Sequence, residues 1–361
     1  MSDKDSPPVL VDLALQGGGS HGAFTWGVLD RLLEEPGIRI NALSGTSAGA
    51  MNACAVVEGL ANGGPEAARD NLQAYWEAVG QAARFSPYRR SAFERMTGGW
   101  SLANSPAFAW ARTMLRSVSP YEFNPFDINP LRPIVEAQFD FDAINDCRSA
   151  DLFLCATNVR TGRPKIFRQG EITADAVLAS ACLPFLSQAV EIDGEAYWDG
   201  GYMGNPPLFP LIDESEARDL IIVQINPVER AGVPRTAWEI DDRLNEITFN
   251  SSLIKELRAL FLLSETIREG GLEREAYRDA RLHLIADTDE LPSLGASTKM
   301  NAEPEFLDHL HDLGRRTADK WLADHGAKLG RNSSYTPDFV FEESLMPAHL
   351  ENGLRKKMRR G

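Results

Sequence analysis

The pentapeptide Gly45-Thr46-Ser47-Ala48-Gly49 constrains this chain more than any other stretch. It reads G-x-S-x-G. An apolar run precedes it (Ile38, Ile40, Ala42, Leu43), and a small-residue helical pattern follows from Ala48 through Ala50, Met51, Ala53 and Cys54 to Val57. A strand that turns sharply into a helix is the context in which this pattern makes a nucleophile elbow. The glycines belong to that turn, because a side chain two positions from the serine would crowd it. Gly45, Thr46 and Gly49 are therefore read as the elbow, and Ser47 as the nucleophile it presents.

Strand-then-helix order recurs along the chain. Residues 9–16 read as a buried first strand and 23–33 as a helix. Residues 38–44 and 47–60 repeat the pair, and 66–83 form a further amphipathic helix. Beyond residue 150 come strands at 151–158 and 220–225, a helix at 174–182, and an antiparallel excursion over 188–198. Residues 236–270 are helical, 282–286 a last strand, and 304–329 a long amphipathic helix. Such alternation predicts an α/β fold with a largely parallel sheet. A weakly patterned break at 227–234 divides a domain over 9–226 from a mostly helical extension over 235–330. Residues 331–361 read as a flexible basic tail.

The run Gly17-Gly18-Gly19-Ser20-His21-Gly22 lies between the first strand and the first helix. Glycines there leave backbone N–H groups open to an anion, either a phosphate or the oxyanion of an acyl-transfer intermediate. No G-K-[ST] ends the run, so a nucleotide loop fits poorly. With an elbow serine close behind, the oxyanion reading is favoured. Its candidate residues are Gly17, Gly18, Gly19, Ser20 and Ala48, with Gly18 and Gly19 as the main donors and His21 and Gly22 in support.

Asp199-Gly200-Gly201 alone is an ordinary turn. In company it is more. Ala179-Ser180-Ala181-Cys182-Leu183-Pro184-Phe185 precedes it, and Gly204-Asn205-Pro206-Pro207 follows. Together with the glycine run and the elbow, these residues resemble the patatin-like phospholipases over roughly residues 9 to 226. That family has a G-G-G-x-[RK]-G loop, an early G-x-S-x-G, an A-S-x-x-x-P-x-x-F type segment and a D-G-[GA] bearing a catalytic aspartate. His21 departs from the pattern, since the family usually has Arg or Lys there. The departure touches loop electrostatics and not the backbone donors. The extension, including Asn250-Ser251-Ser252 and Leu294-Gly295-Ala296-Ser297, is similar to the C-terminal region of a bacterial subgroup.

The resemblance implies a three-layer α/β/α sandwich and a lipid acyl hydrolase working through a Ser47–Asp199 dyad and an acyl-enzyme. Asp199 would take the serine proton directly. Burial beside apolar walls such as Tyr197, Trp198 and Phe185 would make it a better base. No cofactor or metal is expected, since serine catalysis needs no ion. A Ser47–Asp199–His283 triad has the chain order of an α/β-hydrolase, but that fold normally presents its serine after more strands than the two that precede it here. His309, His311 and His325 read as a solvated helix face. Two alternatives stay open: polyester or thioester hydrolysis by the same mechanism, and a silent lipid-binding regulator.

The remaining features bear on partners. The net charge of −15 argues against nucleic acid and against adhesion of the whole surface to anionic membranes. Residues 85–126 stand apart, with nine aromatics and five arginines (Arg89, Arg90, Arg95, Arg112, Arg116). They suit an acyl-chain channel or lid whose arginines meet head-group phosphates. The basic tail at 355–360 is a candidate peripheral contact with a membrane. The N-terminus lacks a signal-peptide layout, no apolar run approaches a bilayer-spanning length, and the four cysteines read as buried free thiols. A cytoplasmic location follows as the expectation. The partner is a lipid or other acyl ester. The sequence leaves oligomeric state open.

Overall fold

The computed structural model describes residues 7–114, 117–230, 232–268 and 279–337. Its strands are β1 (Val9–Leu15), β2 (Ile38–Gly45), β3 (Asp151–Asn158), β4 (Pro164–Arg168), β5 (Val190–Ile192), β6 (Glu195–Asp199), β7 (Asp219–Gln224) and β8 (Arg281–Ala286). They form one eight-stranded sheet in the order β5-β6-β3-β2-β1-β7-β8, with β4 also on β3. The run β3-β2-β1-β7-β8 is parallel, as the alternation with helices requires, while β4, β5 and β6 run antiparallel. β4 has no counterpart in the sequence reading.

The helices are α1 (Gly22–Leu33), α2 (Ala48–Asn62), α3 (Pro65–Ala83), α4 (Ala92–Thr97), α5 (Pro106–Met114), α6 (Pro120–Phe123), α7 (Arg132–Gln138), α8 (Phe141–Asp146), α9 (Ala174–Ser180), α10 (Phe209–Glu214), α11 (Ala237–Arg268) and α12 (Pro304–His325). Period-two patterning sorts them into layers. On β1, Val11, Leu13 and Leu15 face a large core shared with Phe24, Met51, Leu72 and Leu310, so α1, α2, α3 and α12 cover that side. Ala14 faces the other way, into a smaller core with Leu211, Leu253 and Leu257 from α10 and α11. The result is a three-layer α/β/α sandwich around a mixed sheet.

The C-terminal region is mostly helical and is built into this architecture. β8 extends the sheet by pairing with β7 from Asp219↔Arg281 to Gln224↔Ala286. α12 crosses α1 at close range through Gly27 and Gly314. A Cβ on Gly27 would lie 1.9 Å from the His311 carbonyl oxygen, and one on Gly314 would lie 2.1 Å from that of Phe24. This contact corrects the solvated-face expectation for His311, whose ring lies 4.0 Å from Trp26 and whose Nε2 meets Asp30 at 3.1 Å. His309 likewise packs against Trp100 and bonds Glu290. The basic tail at 355–360 and Arg116 lie outside the described residues. Among the described residues no helix is long and apolar enough to cross a membrane. All four cysteines are buried and unpaired.

One register decides where the chemistry sits. β4 occupies one edge of β3 from Phe153 to Thr157. β2 and β6 must therefore share the other edge. β2 ends there at Gly45, opposite Leu154, and β6 ends at Asp199, opposite Ala156. The two chains arrive head to head, so the elbow after β2 and the Asp-Gly-Gly turn after β6 meet at one point above β3.

Candidate active site

Ser47 sits between β2 and α2 with φ 55 and ψ −123, a left-handed conformation for a residue with a side chain. Such strain costs about 1–3 kcal/mol and persists only where the surroundings fix it. They do. A Cβ on Gly45 would lie 2.5 Å from the Gly49 carbonyl oxygen, and one on Gly49 would lie 2.2 Å from that of Leu15. Thr46 Oγ1 donates to the Gly204 carbonyl at 2.6 Å, and the Ser47 N–H donates to Ser180 Oγ at 3.0 Å.

The glycine loop lies against this turn. A Cβ on Gly17 would come within 2.8 Å of Ser47 Cβ. The Gly17 N–H is already given to Asn205 Oδ1 at 2.7 Å. Gly18 and Gly19 N–H have no acceptor among the described residues, so they remain the open donors of the loop. Gly19 has φ +60, and a Cβ there would lie 2.4 Å from the Lys299 carbonyl oxygen. Ser20 is buried, and Gly22 brings α1 against Ala48, whose Cβ an added methyl would approach to 2.6 Å. His21 is buried with Nε2 2.7 Å from Thr298 Oγ1 and, among the described residues, no partner for Nδ1. Burial first, then the charges of Lys299 and Arg230, push its pKa down to about 3, so the ring is neutral.

Four polar residues that sequence reasoning missed hold the loop in place. Gln16 Oε1 accepts from the N–H groups of Ile225 (2.9 Å) and Asn226 (2.8 Å), and its Nε2 donates to Asn250 Oδ1 at 2.9 Å. Asn226 Nδ2 donates to the Gly17 carbonyl at 2.7 Å. Asn205 completes the set from the other side. A signal existed for two of them. Asn205 and Asn250 stand in segments that carry the family resemblance, without a role attached.

Asp199 ends β6 with 1% of its surface exposed. Its Oδ1 accepts the Gly201 N–H at 2.7 Å, and Ser47 opens into the same cavity. Burial raises its pKa to about 7, with the Gly201 N–H and the neighbouring Ser47 hydroxyl pulling the other way. The turn behind it needs its glycines. A Cβ on Gly200 would lie 2.1 Å from the Cys155 carbonyl oxygen, and one on Gly201 would lie 2.1 Å from the Phe249 ring.

Ser47, Asp199 and the glycine loop open into one cavity of about 280 Å³, walled by Tyr88, Phe108, Phe185, Leu186, Tyr202 and Phe249. Of the expected walls, Phe185 is present; Tyr197 and Trp198 do not line the cavity, and Tyr202 and Phe249 take their place. His283 is elsewhere. It lies in β8, with Nε2 3.0 Å from Asp219 Oδ1 at the start of β7 and Nδ1 2.8 Å from Ser334 Oγ. Ser47 follows the opposite, C-terminal end of the parallel strands. Arg90 is buried against Glu303 and Glu305 and stacks on Trp100, while Arg112 is paired with Asp241 and Asp242 over Trp238. These two guanidiniums are held by carboxylates of the chain itself, contrary to the head-group role expected of them. No cluster of His, Cys, Asp and Glu fit to hold a metal occurs among the described residues.

A hydroxyl on a strained elbow, a buried carboxyl titrating near neutrality and open amide donors around one apolar cavity can support acyl transfer. The chain belongs to the patatin-like phospholipase family, whose model matches residues 13–212, and this membership supports a lipid hydrolase. Among curated relatives, Lysophospholipase NTE1 of two Cryptococcus neoformans strains is 29% identical over 219 residues, covering 61% of this chain and 11% of the relative. The chain thus spans about a tenth of the length of those relatives. Among solved structures, VipD from Legionella pneumophila superposes with a TM-score of 0.37 at 15% identity, covering 85% of this chain and 67% of VipD. The ExoU–SpcU complex from Pseudomonas aeruginosa gives 0.29 at 16% identity, covering 97% and 66%.

Proposed function

We propose that the chain is a serine acyl hydrolase that cleaves carboxylic esters of lipids through a Ser47–Asp199 dyad. Ser47 Oγ attacks the ester carbonyl while Asp199 takes its proton. The N–H groups of Gly18 and Gly19 receive the developing oxyanion. Asp199 returns the proton to the departing alkoxide, leaving an acyl-enzyme, and then activates the water that hydrolyses it. The observation that carries this reading is that Ser47, on its strained elbow, and a buried Asp199, whose carboxyl is raised to about 7, open into one cavity beside the glycine loop. No metal or cofactor is needed for any of these steps.

The lipid assignment rests on the family and on the aromatic cavity walls. In the cavity wall Phe185 is 65% exposed, and on α5, which supplies Phe108 to that wall, Trp110 is 67% exposed. Such an aromatic rim fits transient contact with a lipid surface. Four buried free thiols fit a reducing compartment.

A fluorophosphonate probe tests the proposal against a silent lipid-binding role. Wild-type protein should label at Ser47 and release fatty acid from a lysophospholipid. Ser47→Ala should do neither, with hydrolysis down by on the order of 10³ or more. A folded wild type that resists the probe, or a Ser47→Ala protein that keeps its activity, contradicts the proposal.

A further inference from the structure

Lys299 is the one cationic side chain that lines the catalytic cavity without a carboxylate partner among the described residues. It lies in the short turn Ala296–Met300, which Gly19 admits against the glycine loop. Thr298 anchors that turn to His21, and Ser297 Oγ lies 3.2 Å from Ser101 Oγ. Among the described residues the Lys299 ammonium makes one hydrogen bond, to Asn226 Oδ1 at 2.5 Å. Asn226 in turn holds the Gly17 carbonyl. The ammonium is thus tied, through a single amide, to the loop that faces Ser47.

The nearby charges are already matched. Glu246 is bound by Arg230 and Arg243, and Asp241 and Asp242 by Arg112. Those three arginines face three carboxylates, so the Lys299 charge is left over. Burial holds its pKa below the ordinary ammonium value. A partly buried cation with spare donors, opening on a cavity, is a binding position for an anionic group. Asp241 and Asp242 line the same cavity but are held by Arg112, which leaves the Lys299 ammonium, among the described residues, as the cation free to meet an anionic ligand.

We propose that Lys299 receives the phosphate of a phosphate-bearing lipid ester while the ester carbonyl lies over Ser47. In a glycerophospholipid or lysophospholipid that phosphate lies one glycerol unit from the ester. Lys299 would then select phosphate-bearing esters over neutral glycerides. This rests on the acyl-hydrolase reading above and names the substrate class of that site.

The test compares a lysophospholipid with a monoacylglycerol of the same acyl chain, both below micelle formation. In Lys299→Met and Lys299→Gln the ratio of kcat/KM for the phosphate ester to that for the neutral ester should fall by about 10- to 100-fold, the worth of a charge-assisted contact. Lys299→Arg should restore most of it. Inorganic phosphate should inhibit wild-type hydrolysis of the neutral ester competitively, and inhibit the Met variant more weakly. A ratio unchanged within about twofold in folded Met and Gln variants overturns the proposal. So does an equal loss on both esters, which would make Lys299 part of the chemistry or of the fold. Weaker phosphate inhibition with an unchanged lipid ratio overturns it as well, pointing to a site for free phosphate. A wild type inactive on both esters would instead count against the acyl-hydrolase reading.

Discussion

The floor of the cavity and its rim are built on opposite principles. On the floor, Ser47, Asp199 and the glycine loop hang from the ends of β2, β6 and β1, and added Cβ atoms at Gly45, Gly49, Gly200 and Gly201 would all collide with neighbours. Thr46, Gln16, Asn205 and Asn226 are bound to main-chain or side-chain groups a long way off in sequence. On the rim, α5 buries none of its residues, and Trp110 on it and Phe185 stand 67% and 65% exposed. Bond making needs positions held to fractions of an ångström, so the floor accepts strain and close approach. A surface that meets lipid needs apolar area and little else, so the rim leaves aromatic side chains in water.

The largest effect should come from disturbing the floor. Gly49→Ala drives a methyl to 2.2 Å from the Leu15 carbonyl oxygen, which is backbone and has nowhere to go. We expect a loss of several kcal/mol of stability, about as much as the worst core substitutions, or failure to fold. Denaturant unfolding measures it, and a loss under about 1 kcal/mol would mean the elbow is softer than drawn.

A second test uses the carboxyl's cost to the fold. The Asp199 pKa is raised from 3.8 unfolded to about 7 folded, so the native state binds the extra proton between those values. Its contribution is therefore fully present below pH 3.8 and lost as pH rises through about 7. Asp199→Asn keeps the acceptor for the Gly201 N–H and removes the charge. Its stability relative to wild type should rise by on the order of a few kcal/mol between pH 5 and pH 8. Equal pH dependence of the two melting temperatures would show that Asp199 is not held near neutrality.

The smallest effect belongs to the rim. Replacing Trp110 by Ser should leave stability within about 0.5 kcal/mol, because most of that side chain is in water. Hydrolysis of vesicle-borne lipid should fall by a few-fold relative to a soluble ester. If melting temperature drops by many degrees instead, the rim is packing and the contrast with the floor fails.

Much of the floor could be read from the sequence because its constraints are local. G-x-S-x-G needs its glycines within two residues of the serine, and the three-glycine run sits at a single turn. What joins these pieces is not local. The meeting of Ser47 and Asp199 depends on β2 and β6 sharing one edge of β3, a register set in part by β4, which the sequence reading lacks. Gln16, Asn205 and Asn226 act through hydrogen bonds spanning many residues, and single polar residues carry no pattern. Lys299 is invisible for the same reason. Arg90 and Arg112 show the converse error. Their neighbours in sequence are aromatic, but their neighbours in space include Glu303, Glu305, Asp241 and Asp242.

The central claim is that Asp199 is the base for Ser47, and a pH–rate profile tests it most directly. With a soluble short-chain ester, and product acid quantified independently of pH, wild-type kcat/KM should rise from about pH 5 and level off above about pH 8. The inflection should fall near the Asp199 pKa of about 7. Asp199→Asn should lower the plateau by about 10² to 10⁴ and abolish that inflection. His283→Ala should keep it, because that ring is committed to Asp219 and Ser334. A folded Asp199→Asn enzyme that retains the inflection, or a folded His283→Ala enzyme as inactive as Ser47→Ala, would contradict the dyad.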